Sequence, residues 1–193
     1  GSLMALKATK LHQMLAFMGI AQMGFALLGF AAGFEVNGLS HSVSSAWSLL
    51  DGNASGWLHF VFASLAITGL VAILTYLSRP DAPIVYSEEL KGLLYREPLS
   101  AIAAIMFLLT LAGLPPSPGF WSCWSVFSSV LSAKLVSSGW DDPSGGAFGF
   151  PHPAFVAAGI VAVLHLLMTA GLVLRLIILM GIDRPLGRFQ PAG

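Results

Sequence analysis

The sequence predicts an all-α integral membrane fold of four transmembrane spans, the third of them discontinuous. Three observations carry this prediction. Of 193 residues, 56% are hydrophobic and only 9% charged, whereas a soluble domain carries about a quarter charged residues. Apolar stretches long enough to cross a hydrocarbon core, which takes roughly 20 helical residues, recur along the whole chain. A proline-rich break, Leu114-Pro115-Pro116-Ser117-Pro118-Gly119, interrupts the longest of them.

Taken in order, the expected spans are 11–33, 56–78, 99–136 and 154–180, within one membrane domain. The linkers 34–55, 79–98 and 137–153 and the two ends hold most of the charge, and the last linker is rich in Gly, Pro and Ser around Asp141 and Asp142. The chain opens Gly-Ser-Leu, without the charged start, apolar core and cleavage site of a signal peptide, and is expected to be an internal piece of a longer protein. Zero net charge argues against a nucleic-acid partner. The single cysteine, Cys123, excludes a disulfide framework and a cysteine-based zinc site.

The third apolar region, at ~1.5 Å per residue over roughly 38 residues, far exceeds a ~30 Å core. Pro115, Pro116 and Pro118 remove three backbone donors within four residues, so no continuous helix runs through them. Either the region crosses twice or it crosses once with an interruption. Lys7 and Lys10 precede the first span, Arg79, Lys91 and Arg96 follow the second, and Arg184 and Arg188 follow the fourth, while 34–55 and 137–153 contain no Lys or Arg. Lys and Arg of short loops stay on the cytoplasmic side, so the count selects one crossing. A break at membrane depth bares amide and carbonyl groups that lipid cannot satisfy, and it must be buried in protein or line a hydrated cavity. Pro115, Pro116, Pro118 and Gly119 therefore mark a candidate ion path, with a packing kink as the alternative.

Leu111-Ala-Gly-Leu-Pro-Pro-Ser-Pro-Gly-Phe120 resembles the discontinuous-helix motif LAGIPPTAGF of the antiporter-like membrane subunits of complex I and its relatives. Leu90-Lys-Gly-Leu-Leu-Tyr-Arg-Glu-Pro98 is similar to the GLxxRxP run that introduces that helix in subunit N, the mitochondrial subunit 2 type. Met14-Leu-Ala-Phe-Met-Gly-Ile-Ala-Gln-Met-Gly-Phe25 resembles its LAYSSIAHxGY helix, and Leu174-Arg175 matches a YYLR element weakly. The resemblance implies a fold of about fourteen helices, of which this chain would supply the tenth to thirteenth. It implies a membrane-arm subunit of a proton-translocating NADH:quinone oxidoreductase in the inner (plasma) membrane of a bacterium. Such a chain holds no redox centre, with flavin, iron–sulfur clusters and quinone on partner subunits. The alternatives are a subunit of a multisubunit cation/proton antiporter or membrane-bound hydrogenase, and a scaffold that does not pump.

The family's motif continues as GFxGKF, and its lysine carries protons. Here Cys123 stands at the lysine position, and a thiol cannot carry positive charge, so the lysine's role does not transfer directly. The serine pair of the earlier motif is Met18-Gly19, and its histidine is Gln22. A shifted proton path would then use ionisable residues within spans, which are costly there and suspect for function. His165, mid-way along the fourth span, is the first candidate, with a hydrogen-bonded structural histidine as the alternative. Gln22 and Cys123 are further candidates, and His59 is a fourth, read as interfacial from its place near the outer end of the second span. Arg175 and Lys134 read as snorkelling or interfacial groups, and Glu35 and Asp51 as loop residues. Ser122, Ser125 and Ser129 share helical spacing, and Gly19, Gly24, Gly29 and Gly33 suit close helix packing. His41 and His152 lie in linkers, and no metal site is expected.

Overall fold

With no water in the bilayer core, backbone amides and carbonyls must find partners inside their own segment. The computed structural model describes residues 1–36, 52–78, 85–132 and 153–181, and these are helical almost throughout. A short α1 (Ser2–Lys7) leads into α2 (Leu11–Val36), and α3 (Gly52–Leu77) follows. A 3-10 turn, Ser87–Leu90, and a single-turn α4 (Leu93–Arg96) precede α5 (Pro98–Ala112), α6 (Pro118–Ser132) and α7 (Pro153–Gly181). Among the described residues there is no β-strand, only an isolated bridge between Lys10 and Tyr86.

Among the described residues three helical stretches are long and apolar enough to cross a membrane: Leu11–Gly33, Gly52–Leu77 and Val156–Gly181. Helices α5 and α6, with 15 residues each, reach only ~22 Å at ~1.5 Å per residue, less than a ~30 Å core. Many large apolar side chains point outward, Ile20, Leu27, Leu65, Leu99, Trp121 and Leu167 among them, as suits helices whose surroundings are not water.

One end of the protein is tied together by backbone bonds. Leu11 donates to the Val85 carbonyl at 2.9 Å, and Gly92 donates to the Leu179 carbonyl at 3.3 Å. The start of α2, the stretch through the 3-10 turn to the start of α4, and the finish of α7 thus meet, with Lys10 and Lys91 among them. The 3-10 turn is fixed by Glu89, whose carboxylate accepts from the amides of Val85 and Tyr86 at 2.6 and 3.3 Å. Pro98 opens α5, where its missing N–H costs nothing.

At the opposite end α2 and α3 touch backbone to backbone. A Cβ at Gly29 would lie 3.0 Å from the Gly56 Cα, and one at Gly33 would collide with Asn53 and Gly52. Of the four glycines suited to close packing, these two bring backbones together and a Cβ at Gly19 would lie 3.3 Å from Ile67 Cδ1; nothing lies within 4 Å of a Cβ at Gly24. This contact starts α3 at Gly52, four residues before the expected 56, because Gly52–Ser55 fails an apolar test yet is sealed against α2, with the Ser55 hydroxyl donating to the Gly52 carbonyl at 2.8 Å. Helix α2 likewise runs on to Val36, so Glu35 belongs to a helix and not to a linker.

Both short helices pack on α3. Gly69 of α3 receives the Phe107 ring of α5, His59 meets Ser122 of α6, and Ser55 meets Ser129 at 3.3 Å. As α3 is followed from Leu77 to Gly52, its neighbours are α5 and then α6. The break also lies differently from expectation. Helix α5 already stops at Ala112, and Pro118 and Gly119 form the first turn of α6, so the interruption is 113–117 and not 115–119. Gly113 (φ +63°) supplies the left-handed residue that ends α5, and the amides of Gly113 and Leu114 close back on the Thr110 and Leu109 carbonyls in a Schellman pattern. Lys134, Asp51, His41 and His152 lie outside the described residues.

Candidate functional site

A helix leaves its last four carbonyls without i+4 partners, and at membrane depth these need donors from elsewhere. At the end of α5, Thr110 and Leu109 are served by the Schellman amides, and the buried Ser117 hydroxyl lies 2.7 Å from the Leu114 carbonyl and 3.1 Å from that of Leu109. The Leu111 carbonyl is met from another helix: Gln22 of α2 donates to it through Nε2 at 2.7 Å.

That bond orients the amide. A carbonyl only accepts, so Gln22 must present its NH2 to Leu111 and its Oε1 to the other side. There His59 Nε2 lies 2.9 Å away and is obliged to carry a proton. The neutral ring is then unprotonated at Nδ1, which faces Ser122 Oγ at 3.1 Å and Cys123 Sγ at 3.8 Å, both from α6. Ser122 has one hydroxyl proton and two acceptors, His59 Nδ1 and the Gly119 carbonyl at 2.9 Å.

This arrangement satisfies both charge states of the histidine. With the ring neutral, Nδ1 accepts from the Ser122 hydroxyl or the Cys123 thiol. With the ring protonated, Nδ1–H donates to Ser122 Oγ, while the Ser122 proton turns to the Gly119 carbonyl. No heavy atom has to move. Gln22, His59, Ser122 and Cys123 are all buried, at 1, 2, 0 and 4% exposure, so bulk water is not needed to complete either state. Beyond Ser122 the row of hydroxyls continues along α6 to Ser125 and Ser129, and Ser129 meets Ser55 beside the α2–α3 glycine contact.

The sequence reading of His59 as an interfacial residue is thereby corrected. It stands seven residues into α3, but that turn of the helix is enclosed by α2 and α6 rather than by headgroups. Three of the four candidates, Gln22, His59 and Cys123, form one cluster. The fourth, His165 of α7, has other hydrogen-bond neighbours: its Nδ1 is 3.4 Å from Ser2 Oγ and from Thr169 Oγ1, and Phe25 of α2 touches both imidazoles with its ring tilted to each, its centroid 4.8 Å from that of His59 and 5.8 Å from that of His165. Phe25, Ser2 and Thr169 were not singled out from the sequence as site residues; only the i, i+4 spacing of His165 and Thr169 hinted at one of them. Among the described residues no three His, Cys, Asp or Glu side chains gather as a metal site would require.

Described residues that are helical almost throughout, with three membrane-length apolar helices among them enclosing a hydrogen-bonded polar cluster, define a multi-pass membrane protein. Residues 1–138 match the model of the family described as NADH:quinone oxidoreductase/Mrp antiporter, TM, and the chain belongs to that family. It is similar to NADH-quinone oxidoreductase subunit N of Polaromonas naphthalenivorans, 37% identical over 137 residues, covering 71% of this chain and 26% of that protein. Subunit N of Caulobacter sp. (strain K31) is 28% identical over 188 residues, covering 85% and 36%. Subunit N of Cupriavidus taiwanensis is 29% identical over 190 residues, covering 98% and 33%. The chain thus spans little more than a third of the length of these relatives at most.

Proposed function

We propose that this chain forms part of a proton channel in the membrane arm of a bacterial NADH:quinone oxidoreductase, with His59 as the group that holds the proton at the helix break. The observation that carries the reading is the seat of His59 between Gln22 on one side and Ser122 and Cys123 on the other, which is hydrogen-bonded in the neutral and the protonated state alike. In an apolar interior an imidazole without such partners would lose a large solvation free energy on charging. The role that the family gives to a lysine on the helix after the break would here fall to a histidine on the neighbouring helix, and the thiol at the lysine position would act only as a donor to it.

The same reading takes α5 and α6 as one discontinuous crossing, part of a ~14-helix fold. Support comes from the order of contacts along α3, with Phe107 against Gly69, Ser122 against His59 and Ser129 against Ser55, and from the lysines and arginines gathered where α5 begins. Flavin, iron–sulfur clusters and quinone would belong to partner subunits of the complex in the cell membrane, with electron transfer there driving the proton through this chain. The alternative of a cation/proton antiporter subunit shares the family description, but the names of the relatives favour the oxidoreductase.

The test uses the full-length subunit in the assembled enzyme, reconstituted in vesicles. His59→Gln is expected to lower the number of protons moved per NADH while electron transfer to quinone in the presence of an uncoupler persists within about twofold. An unchanged proton ratio in that variant would end the reading. For the topology, cysteines introduced at Lys10, Lys91 and Ser144 report sidedness to an impermeant maleimide; a single crossing by α5–α6 puts the first two on one face and the third on the other.

A further inference from the structure

Lipid offers a bare carbonyl no hydrogen bond, and water gains nothing from contact with a large apolar ring. A surface that shows both at membrane depth needs polypeptide over it, and the turn between α5 and α6 is such a surface. Resting on the reading of α5 and α6 as one discontinuous crossing, we propose that the outer face of this turn, formed by Leu114, Pro115, Pro116, Trp121 and Trp124, is a docking site. Its occupant is a transmembrane helix from the part of the full-length subunit outside this chain, bringing side-chain donors to the Pro115 and Pro116 carbonyls.

The depth of the turn is read from α3. Ser129 of α6 meets Ser55, three residues into α3, and Ser122 meets His59, seven residues in, so α6 descends toward its own start. At ~1.5 Å per residue, Ser122 lies about 10 Å beneath the Gly52 end and Pro118 about 6 Å deeper, close to the middle of a helix ~39 Å long. The turn 113–117 precedes Pro118.

The hydrogen bonds of the turn leave two carbonyls over. The Leu114 amide closes on Leu109, the Ser117 amide and hydroxyl on Leu114, and the Phe120 amide on Ser117. Among the described residues no hydrogen bond reaches the carbonyl of Pro115 or Pro116. Both prolines are exposed, as are Leu114 and Pro118. Acyl chains carry no donor, so lipid cannot be the cover.

The aromatic side chains exclude the other simple cover. Trp121 is 60% exposed and Trp124 48%. With Pro118 they follow at spacings of three along one face of α6, whose opposite face, with Ser122, Ser125, Val126 and Ser129, is buried. Trp57 is as exposed as Trp121, but Phe30 and Phe60 both meet its ring edge-on, whereas Trp121 has only its chain neighbour Phe120, with centroids 5.8 Å apart. An aqueous vestibule walled by Leu114 and two indoles would forgo the gain of burying them. Polypeptide with polar side chains serves both demands, donating to the carbonyls and covering the rings.

The occupant belongs to the same subunit. The carbonyls have to be covered as the chain enters the bilayer, before a partner subunit is met, so the covering helix is inserted with them. A subunit of the relatives' length has the chain to supply it, since these residues span only 26 to 36% of that length.

The experiment uses the full-length subunit in the assembled enzyme, in membranes, with the photo-crosslinking residue p-benzoylphenylalanine at Trp121 and, separately, at Trp124. After illumination the subunit is expected to keep the mass of one polypeptide, and mass spectrometry to find residue 121 or 124 joined to a segment outside residues 1–193. A phospholipid adduct, or a product with the summed mass of two subunits, overturns the proposal. Leu114→Cys supplies a readout without a bulky probe. It is expected to react with N-ethylmaleimide many-fold more slowly than the cysteine at Lys10, and an equal rate overturns the proposal by showing water at the face. The sidedness of the cysteines at Lys10, Lys91 and Ser144 separates the two failures. With a single crossing shown, a lipid adduct overturns the docking face alone, whereas two crossings remove the depth on which it rests.

Discussion

Gln22 joins two elements that share no sequence neighbourhood: it donates to the Leu111 carbonyl at the end of α5 and accepts from His59 Nε2 in α3. One amide side chain thus satisfies the free end of a broken helix and fixes which nitrogen of the histidine bears a proton. Replacement by leucine, close in volume, strands a buried carbonyl and a buried N–H at once. Each unsatisfied group costs about 1–3 kcal/mol, so Gln22→Leu is expected to lower the thermal stability of the purified complex and its proton ratio together.

The glycine contact gives a contrast within a single helix. Gly33→Ala drives a methyl group into the backbone of Gly52 and Asn53, whereas Gly24→Ala meets nothing within 4 Å. Overpacking costs about 1–3 kcal/mol, while Gly→Ala in an open helical position gains up to about 1 kcal/mol. Heating the two variants in detergent and counting folded protein by size-exclusion is expected to place them on opposite sides of the wild type.

Gly113 and Cys123 form a coupled pair. The glycine holds φ +63°, and a Cβ there would stand 2.8 Å from the Cys123 sulfur. Gly113→Ala meets two obstacles, the left-handed backbone, which costs a non-glycine residue about 1–2 kcal/mol, and the sulfur. Cys123→Ala removes only the second. A double-mutant cycle in thermal stability should therefore show the pair less destabilised than the sum of the single changes.

Cys123 itself offers a direct reading of how closed the site is. At 4% exposure its thiol is expected to resist N-ethylmaleimide in the native membrane protein and to react promptly in sodium dodecyl sulfate, as followed by mass spectrometry. Cys123→Ser, which retains a donor toward His59 Nδ1, is expected to keep the proton ratio near the wild-type value. Ser122→Ala, which removes the oxygen that would accept from the protonated ring, is expected to lower it.

Much of this was legible in the sequence, and the exceptions have physical causes. The three membrane-length helices follow from apolar length, and the interruption between α5 and α6 from Pro115, Pro116 and Pro118, because both are local properties of the chain. The end of α5 at Ala112 was also written there in Gly113, yet the prolines drew the boundary two residues too late. The pairing of Gln22 with His59 was not legible, since 37 residues separate them and the register of α2 on α3 is set by Gly29, Gly33, Gly52 and Gly56 acting together. His59 was misjudged for the same reason: distance along a helix says nothing of what encloses that turn. His165 was legible as an ionisable group within a span, but its neighbour Ser2 comes from α1, a short element that carries no periodic signal.

The touching backbones of α2 and α3 have a further consequence. Gly29 and Gly56 meet with no side chain interposed, and Gln22 lies seven residues, about 10 Å of helix, from that point of contact on one rail, while His59 lies three residues from it on the other. The glycines act as a fulcrum: a tenth of an ångström inserted between the rails there is carried down to the amide and the imidazole. The spacing across which Gln22 and His59 are strung is therefore set by two residues that own no side chain, and variation of this pair in related chains should be sought at positions that touch neither of them.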